Sequence, residues 1–286
     1  MPLEEDSTFG NLQNYKLYLR PNAHAHYGYP DQRRSSLGKH QQNVQTLLKL
    51  MSKNEPKTTW ELAKISIPND TTKLREREKI YRRLLVGRKD KGKHSQGILE
   101  IGLVVRDGKS LKTGVADKYR LSLNGVLYCL DVMDLTNNEI DKLAGKYSYV
   151  LPKVFGRWMK LKEKMGNKVY GIKFLASGLL ADNPQIQVQQ GIPFYELMSY
   201  VHIKFQKNFE HMSEERLAEQ ISYWFFVNLI YHPPTREYRG NGIQFLNPIF
   251  EEDKELKEWF WKFFKEATEY YHERYTILKK SKKPMK

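Results

Sequence analysis

Val44, Leu47, Leu48 and Met51 fall at i, i+3, i+4 and i+7, and that spacing predicts a helix over 41–53 with one stripe laid on a core. A second helix opens at Thr58-Thr59-Trp60-Glu61. A Thr three residues before a Glu lets each side chain satisfy the other residue's free backbone N–H, and Leu62 and Ala63 then point inward. Pro68-Asn69-Asp70 breaks the pattern, and helical periodicity returns over 73–86. At about 100° per residue Leu74, Ile80, Tyr81, Leu84 and Leu85 gather on one side of this third helix, with Arg75, Lys79, Arg82 and Arg83 opposite. One face is built to pack and the other is cationic.

Beyond the third helix the period changes. Residues 98–105 are apolar and β-branched, Asp107-Gly108 and Gly114 mark a loop, and Tyr119-Arg120-Leu121-Ser122-Leu123 alternates with period two. The pattern predicts a hairpin with a basic tip. Ser122, Asn124 and Gly125 interrupt the return strand, and Val126, Leu127, Leu130 and Asp134 fall at helical spacing into a closing helix. Thr136-Asn137-Asn138-Glu139 is another capping box, opening a helix through Ile140, Leu143 and Tyr147 and on to Lys164, with a break around Pro152. There Trp158 and Leu161 are expected to pack.

Residues 166–191 read two ways: 168–174 and 185–188 alternate like short strands, while 175–182 suits a helix. Residues 193–208 and 213–231 are helical. The second is apolar on nearly all sides through Leu217, Ile221, Trp224, Phe225, Val227, Leu229 and Ile230, as a central buried helix is. The last helix, over 251–278, places Leu256, Trp259, Phe260, Phe263, Phe264, Tyr270, Tyr271 and Leu278 on one broad stripe. Such a stripe serves a core or the interface to a second copy of the chain.

The formal net charge of +15 is unevenly placed. Between Lys73 and Lys118 fourteen bases stand against six acids, which leaves +8 in less than a sixth of the chain. That concentration attracts polyanions through the phosphate term that dominates non-specific nucleic-acid affinity. One cysteine, Cys129, excludes a disulfide or a cysteine-based zinc site within one chain and suits a reducing, cytoplasmic setting. The acidic start lacks the apolar core of a secretory signal, and the longest apolar stretches fall short of the roughly 20 residues that span a membrane. At 286 residues two domains fit. Glycine-rich phosphate loops, Gly-x-Ser-x-Gly and His-Glu-x-x-His are absent, so no enzyme, metal or cofactor is expected.

The order helix, helix, turn, helix, hairpin, helix resembles a winged helix-turn-helix domain, most closely those common in archaea. The runs Ile101-Gly102-Leu103-Val104 and Tyr119-Arg120-Leu121-Ser122-Leu123-Asn124-Gly125 are similar to its turn into the wing, return strand and next helix. The expected fold is therefore mainly α: an arm over 1–39, a winged helix-turn-helix domain with a β-hairpin wing over 40–134, an α-helical C-terminal domain over 135–278 and a basic tail over 279–286. The resemblance implies sequence-specific binding of double-stranded DNA in transcription regulation. Arg75, Lys79, Arg82 and Arg83 would lie along the major groove, where Arg can make bidentate contacts to guanine. Arg88, Lys89, Lys91 and Lys93 follow in a basic loop over 87–97, and Lys109 and Lys112 on the wing would reach phosphate or minor groove. A second register makes 95–103 the recognition helix, although Gly97 and Gly102 weaken it.

Two rivals stand beside this reading. One is a winged helix used only to bind protein. The other is a nicking enzyme of the rolling-circle type, on the strength of His24-Ala25-His26 and Tyr270 or Tyr271; Pro21, Gly28 and Pro30 crowd out the strand its histidines need.

Overall fold

The computed structural model describes residues 39–68, 70, 72–90, 93–107, 116–179, 213–231 and 241–281. The chain is mainly α-helical and divides into two compact units at Trp158/Met159.

In the first unit α1 (Lys39–Lys53) buries the expected stripe, with Val44, Leu47, Leu48 and Met51 all inside. Thr58 caps α2 (Thr59–Ser66) through the predicted capping box: its hydroxyl accepts from Glu61 N–H, and the Glu61 carboxylate accepts from Thr58 N–H. Helix α3 (Leu74–Val86) packs on α2 and buries Leu74, Tyr81, Leu84 and Leu85. Two antiparallel pairs follow, β1 (Gly87–Asp90) with β2 (Lys93–Gln96), and β3 (Val104–Arg106) with β4 (Tyr119–Leu121). Lys57, just before α2, adds an antiparallel bridge to Tyr119, so a third extended segment borders β4. Ser122 caps α4 (Leu123–Val132), in which every residue from Leu123 to Leu130 is buried. Gly125 sits so close to Leu103 that a Cβ there would lie 2.0 Å from the Leu103 carbonyl oxygen, so the glycine is what lets α4 dock on the chain entering β3.

The apolar run 98–105 is not one strand. Ile101 N–H donates to Gly97 O (3.0 Å) and Gly102 N–H to Leu99 O (3.1 Å), which makes 97–102 a helical turn and leaves only Val104–Arg106 extended. Ile98, Ile101, Leu103 and Val104 are all buried, so apolarity along the run carried no period to separate turn from strand. The second register is thereby overturned, since Ser95 and Gln96 belong to β2 and 97–102 makes no more than this turn. The segment 87–97 expected as a loop is mostly the β1–β2 hairpin.

Helix α5 (Asn137–Lys146) starts at the predicted Thr136 capping box and packs on α1, so the boundary between units lies after it and not at 134. Two sets of bonds tie it there. The Glu139 carboxylate accepts from Lys49 Nζ (2.9 Å), Lys53 Nζ (2.6 Å) and Thr136 N–H (3.0 Å). The Tyr147 hydroxyl donates to Met51 O (3.1 Å) and accepts from Leu121 N–H (3.2 Å), joining the ends of α1, β4 and α5, and burial pushes this phenol above its ordinary range. The chain leaves helix at Tyr147, before Pro152, and re-enters through a 3₁₀ turn (Phe155–Arg157). Helix α6 (Trp158–Met165) follows, with Trp158 and Leu161 buried as expected and Trp158 Nε1 donating to Asp141 (2.8 Å).

In the second unit the strand-like alternation of 168–174 gives a 3₁₀ helix (Gly166–Gly171) and α7 (Ile172–Leu179). Val169, Ile172, Leu175 and Ala176 are the buried positions, and their spacing of three to four is the period that won. Helix α8 (Glu214–Tyr231) packs against α7, α9 and α10, and every residue described from Ile221 to Leu229 is buried. The single helix expected from 251 is two: α9 (Asn241–Glu252) ends, and Asp253 accepts from Leu256 N–H (3.0 Å) to start α10 (Lys254–Ser281). The aromatic stripe is correspondingly narrower. Leu256 and Phe263 are buried, and Trp259 stacks on Tyr223 and Phe263 while donating to Gln220. Phe264 instead stands 55% exposed beside Trp261. Helix α10 continues past Leu278, where the sequence pattern places the start of a tail. Residues 1–38, 185–188 and 193–208 lie outside the described residues, as do His24 and His26.

A fragment 39–158 should melt cooperatively, whereas one ending at Met133 lacks α5 and strands Met51 O and Leu121 N–H. Chemical denaturation should place the shorter fragment lower by at least about 3 kcal/mol, and equal stability would show α5 to be dispensable. A second outcome concerns acid. Burial alone would raise the Glu139 pKa, but the hydrogen bonds from Lys53, Thr136 N–H and Lys49 outweigh it and lower the carboxyl from 4.5 to about 2. Its contribution is complete above pH 4.5 and disappears as pH falls towards 2. Glu139→Gln should cost about 1–2 kcal/mol at pH 7 and almost nothing near pH 2; a cost independent of pH would contradict the assignment.

Candidate nucleic-acid interface

The turn into α3 is built by Asp70, whose carboxylate accepts from Thr72 N–H (3.2 Å), the Thr72 hydroxyl and Lys73 N–H (3.2 Å). These bonds, the Thr72 hydroxyl first, hold the exposed carboxyl down at about 2. From there α3 is fixed along its inner side. The Thr59 hydroxyl donates to Glu78 (2.9 Å), and the Arg77 guanidinium lies 5.9 Å from the centre of the Tyr81 ring. At the far end Leu84 O and Leu85 O, which have no partner within the helix, accept from Ile98 N–H (2.9 Å) and Leu99 N–H (3.1 Å). Gly97 makes this possible, because a Cβ there would meet Leu85 O at 2.2 Å.

With its inner side committed, α3 turns Arg75, Lys79, Arg82 and Arg83 outward, and all four are exposed. Ile80, expected on the packed side, lies at its margin and is half-buried. Glu76 is the one fully exposed acid on the helix. Among the described residues none of the four cations has a carboxylate within ion-pair distance. Other bases nearby are differently placed. Lys73 pairs with Asp70 (3.1 Å) and Arg106 with Asp117 (3.2 Å), while Arg120 pairs with Asp107 (3.4 Å) and lies over the Tyr149 ring. Among the described residues Arg106 and Arg120 on β3 and β4 are thus paired with carboxylates, and the four cations of α3 are not.

Arg88 is exposed on β1 and faces Ser95 in register; Lys89 and Lys93 are strand positions of the same hairpin, paired with His94 and Asp90. Lys91 lies between the strands, and Lys91, Lys109 and Lys112 fall outside the described residues. The structure therefore brings the α3 cations and the β1–β2 hairpin together as one continuous stretch. Sequence reasoning missed that hairpin. Its signal was the two residues, Lys91-Gly92, between polar runs of equal length. Also missed were two exposed apolar residues, Val86 at the end of α3 and Trp60 on α2, which has Lys64 Nζ 5.9 Å from its ring centre.

Among the described residues no group of three or more His, Cys, Asp and Glu could hold a metal ion, and no helix is long and apolar enough to cross a membrane. Cys129 is buried in α4, and burial pushes its thiol well above the ordinary range. No protein family, curated protein or solved structure matches the chain.

Proposed function

We propose that the first unit is a winged helix-turn-helix domain and that the chain binds double-stranded DNA in a sequence-specific way as a transcription regulator. The observation that carries this is the outer face of α3, where four exposed cations have, among the described residues, no carboxylate within ion-pair distance, on a helix whose other face is buried. The order of elements supports it: α1, the extended Lys57, α2, α3 and, after the inserted β1–β2 hairpin, β3 and β4 with Lys57 bridged to β4. In this reading α3 lies in the major groove, where Arg75 and Arg82 make bidentate bonds to guanine. Lys79, Arg83 and the bases of the β1–β2 hairpin bind phosphate and fix register. The hairpin of β3 and β4 is the wing, and Lys109 and Lys112 in its loop serve phosphate or minor groove.

Selection of bound duplexes from a random pool with the full chain supplies the preferred site. On that site Arg75→Ala or Arg82→Ala should cost about 1–3 kcal/mol, and less on unrelated duplexes, because a bidentate bond to guanine forms only where the guanine is present. Truncation after Leu278 should instead weaken every duplex by a similar factor and shrink the salt slope by roughly 0.9 for each phosphate that the lysines of the tail had neutralised. Equal effects on all duplexes for the two arginines would mean that α3 only grips phosphate. Binding that ignores salt and all three changes would overturn the DNA reading in favour of a protein-interaction module.

A further inference from the structure

Viewed down α3 at about 100° per residue, Arg75, Lys79, Arg82 and Val86 fall within one arc of about 60°. Three of the four are cations. Val86 is the apolar member, and it leaves 54% of its surface in water although Leu84 and Leu85 beside it are buried. A β-branched side chain is a poor helix former, and here burial does not compensate. Nor does Val86 lie on a fraying end. The carbonyls of Leu84 and Leu85 are held by Ile98 and Leu99, and the chain turns away only at Gly87, where φ is 82°. The side chain is thus presented on rigid backbone in line with the cations.

The geometry points to Val86 as a specificity-determining residue that packs on a thymine C5-methyl group; the inference rests on the reading of α3 as a groove helix. Of the features that base pairs present in the major groove, the donors and acceptors suit arginine, lysine and amides, and the thymine methyl is the apolar one. Val86 is one helical turn beyond Arg82, a rise of about 6 Å. Against a base-pair rise of about 3.4 Å, that places the thymine one or two base pairs from the base bound by Arg82. The α3 arc would then read guanine through its arginines and an adjacent thymine through Val86.

The test replaces each thymine of the selected duplex in turn with deoxyuridine, which deletes only the methyl, and measures the Kd of the full wild-type chain and of Val86→Ala. Alanine at an exposed helical position keeps the fold, and the melting curve of the variant verifies it. At one thymine, within two base pairs of the guanine whose preference disappears in Arg82→Ala, deoxyuridine should weaken wild type roughly fourfold, the worth of one methyl group taken from water. Val86→Ala should bind the thymidine duplex correspondingly less well and be indifferent to that substitution. Weakening at every thymine that is the same in both proteins, or none in wild type, would overturn the role of Val86 while leaving DNA binding in place. Failure of wild type to bind any duplex in a salt-dependent way would overturn the underlying reading and this inference together.

Discussion

Arg75, Lys79, Arg82 and Arg83 repel one another across the outer face of α3, so the helix exists only because its inner face outweighs that repulsion. Like charges three and four residues apart cost about 0.2–0.5 kcal/mol per pair, and three such pairs sum to about 1 kcal/mol. Burying one large apolar side chain contributes about 1.5–3 kcal/mol, and α3 buries Leu74, Tyr81, Leu84 and Leu85. The packing wins with a margin, and the cations need no carboxylates to hold them. A surface ion pair would add little stability in any case, and it would occupy the groups that an anionic partner has to find free.

Much else in the first unit follows from fixing that helix at both ends. Asp70 sets the entry, and the turn after Gly97 returns to cap the exit, which is why the chain spends a hairpin and a helical turn between α3 and β3. Beyond these additions Lys57 bridges to Tyr119, and α4 docks on Leu103 through Gly125. The unit is completed only by α5, through Glu139 on α1 and Tyr147 between Met51 and Leu121.

Legibility in the sequence tracked how local the governing physics was. Both capping boxes are four-residue patterns, and the α1 stripe and the two faces of α3 are single-helix periods, so each could be read from the residues alone. The exposed cationic face of α3 was legible for the same reason, whereas the exposure of Val86 on it was not read. What escaped depended on distant partners. In the run 98–105 Ile98, Ile101, Leu103 and Val104 are all buried without a strand or helix period, and the backbone N–H groups of Ile98 and Leu99 are given to the carbonyls of α3 that the turn caps. The place of α5 in the first unit depends on a hydroxyl that reaches Met51 and Leu121, which no local window contains. The freedom of the α3 cations, against the pairing of Arg106 and Arg120, was invisible to a charge count.

The central claim is that the outer face of α3 meets base edges in a major groove, and guanine N7, which lies on that groove's floor, reports it most directly. Duplexes carrying the selected site can be methylated sparsely at guanine N7 and partitioned by the full chain into bound and free. The account predicts that methylation at two or more guanines of the site excludes a duplex from the bound fraction, and that one of these effects disappears in Arg82→Ala. Undiminished binding whichever guanine of the site carries the methyl would contradict it.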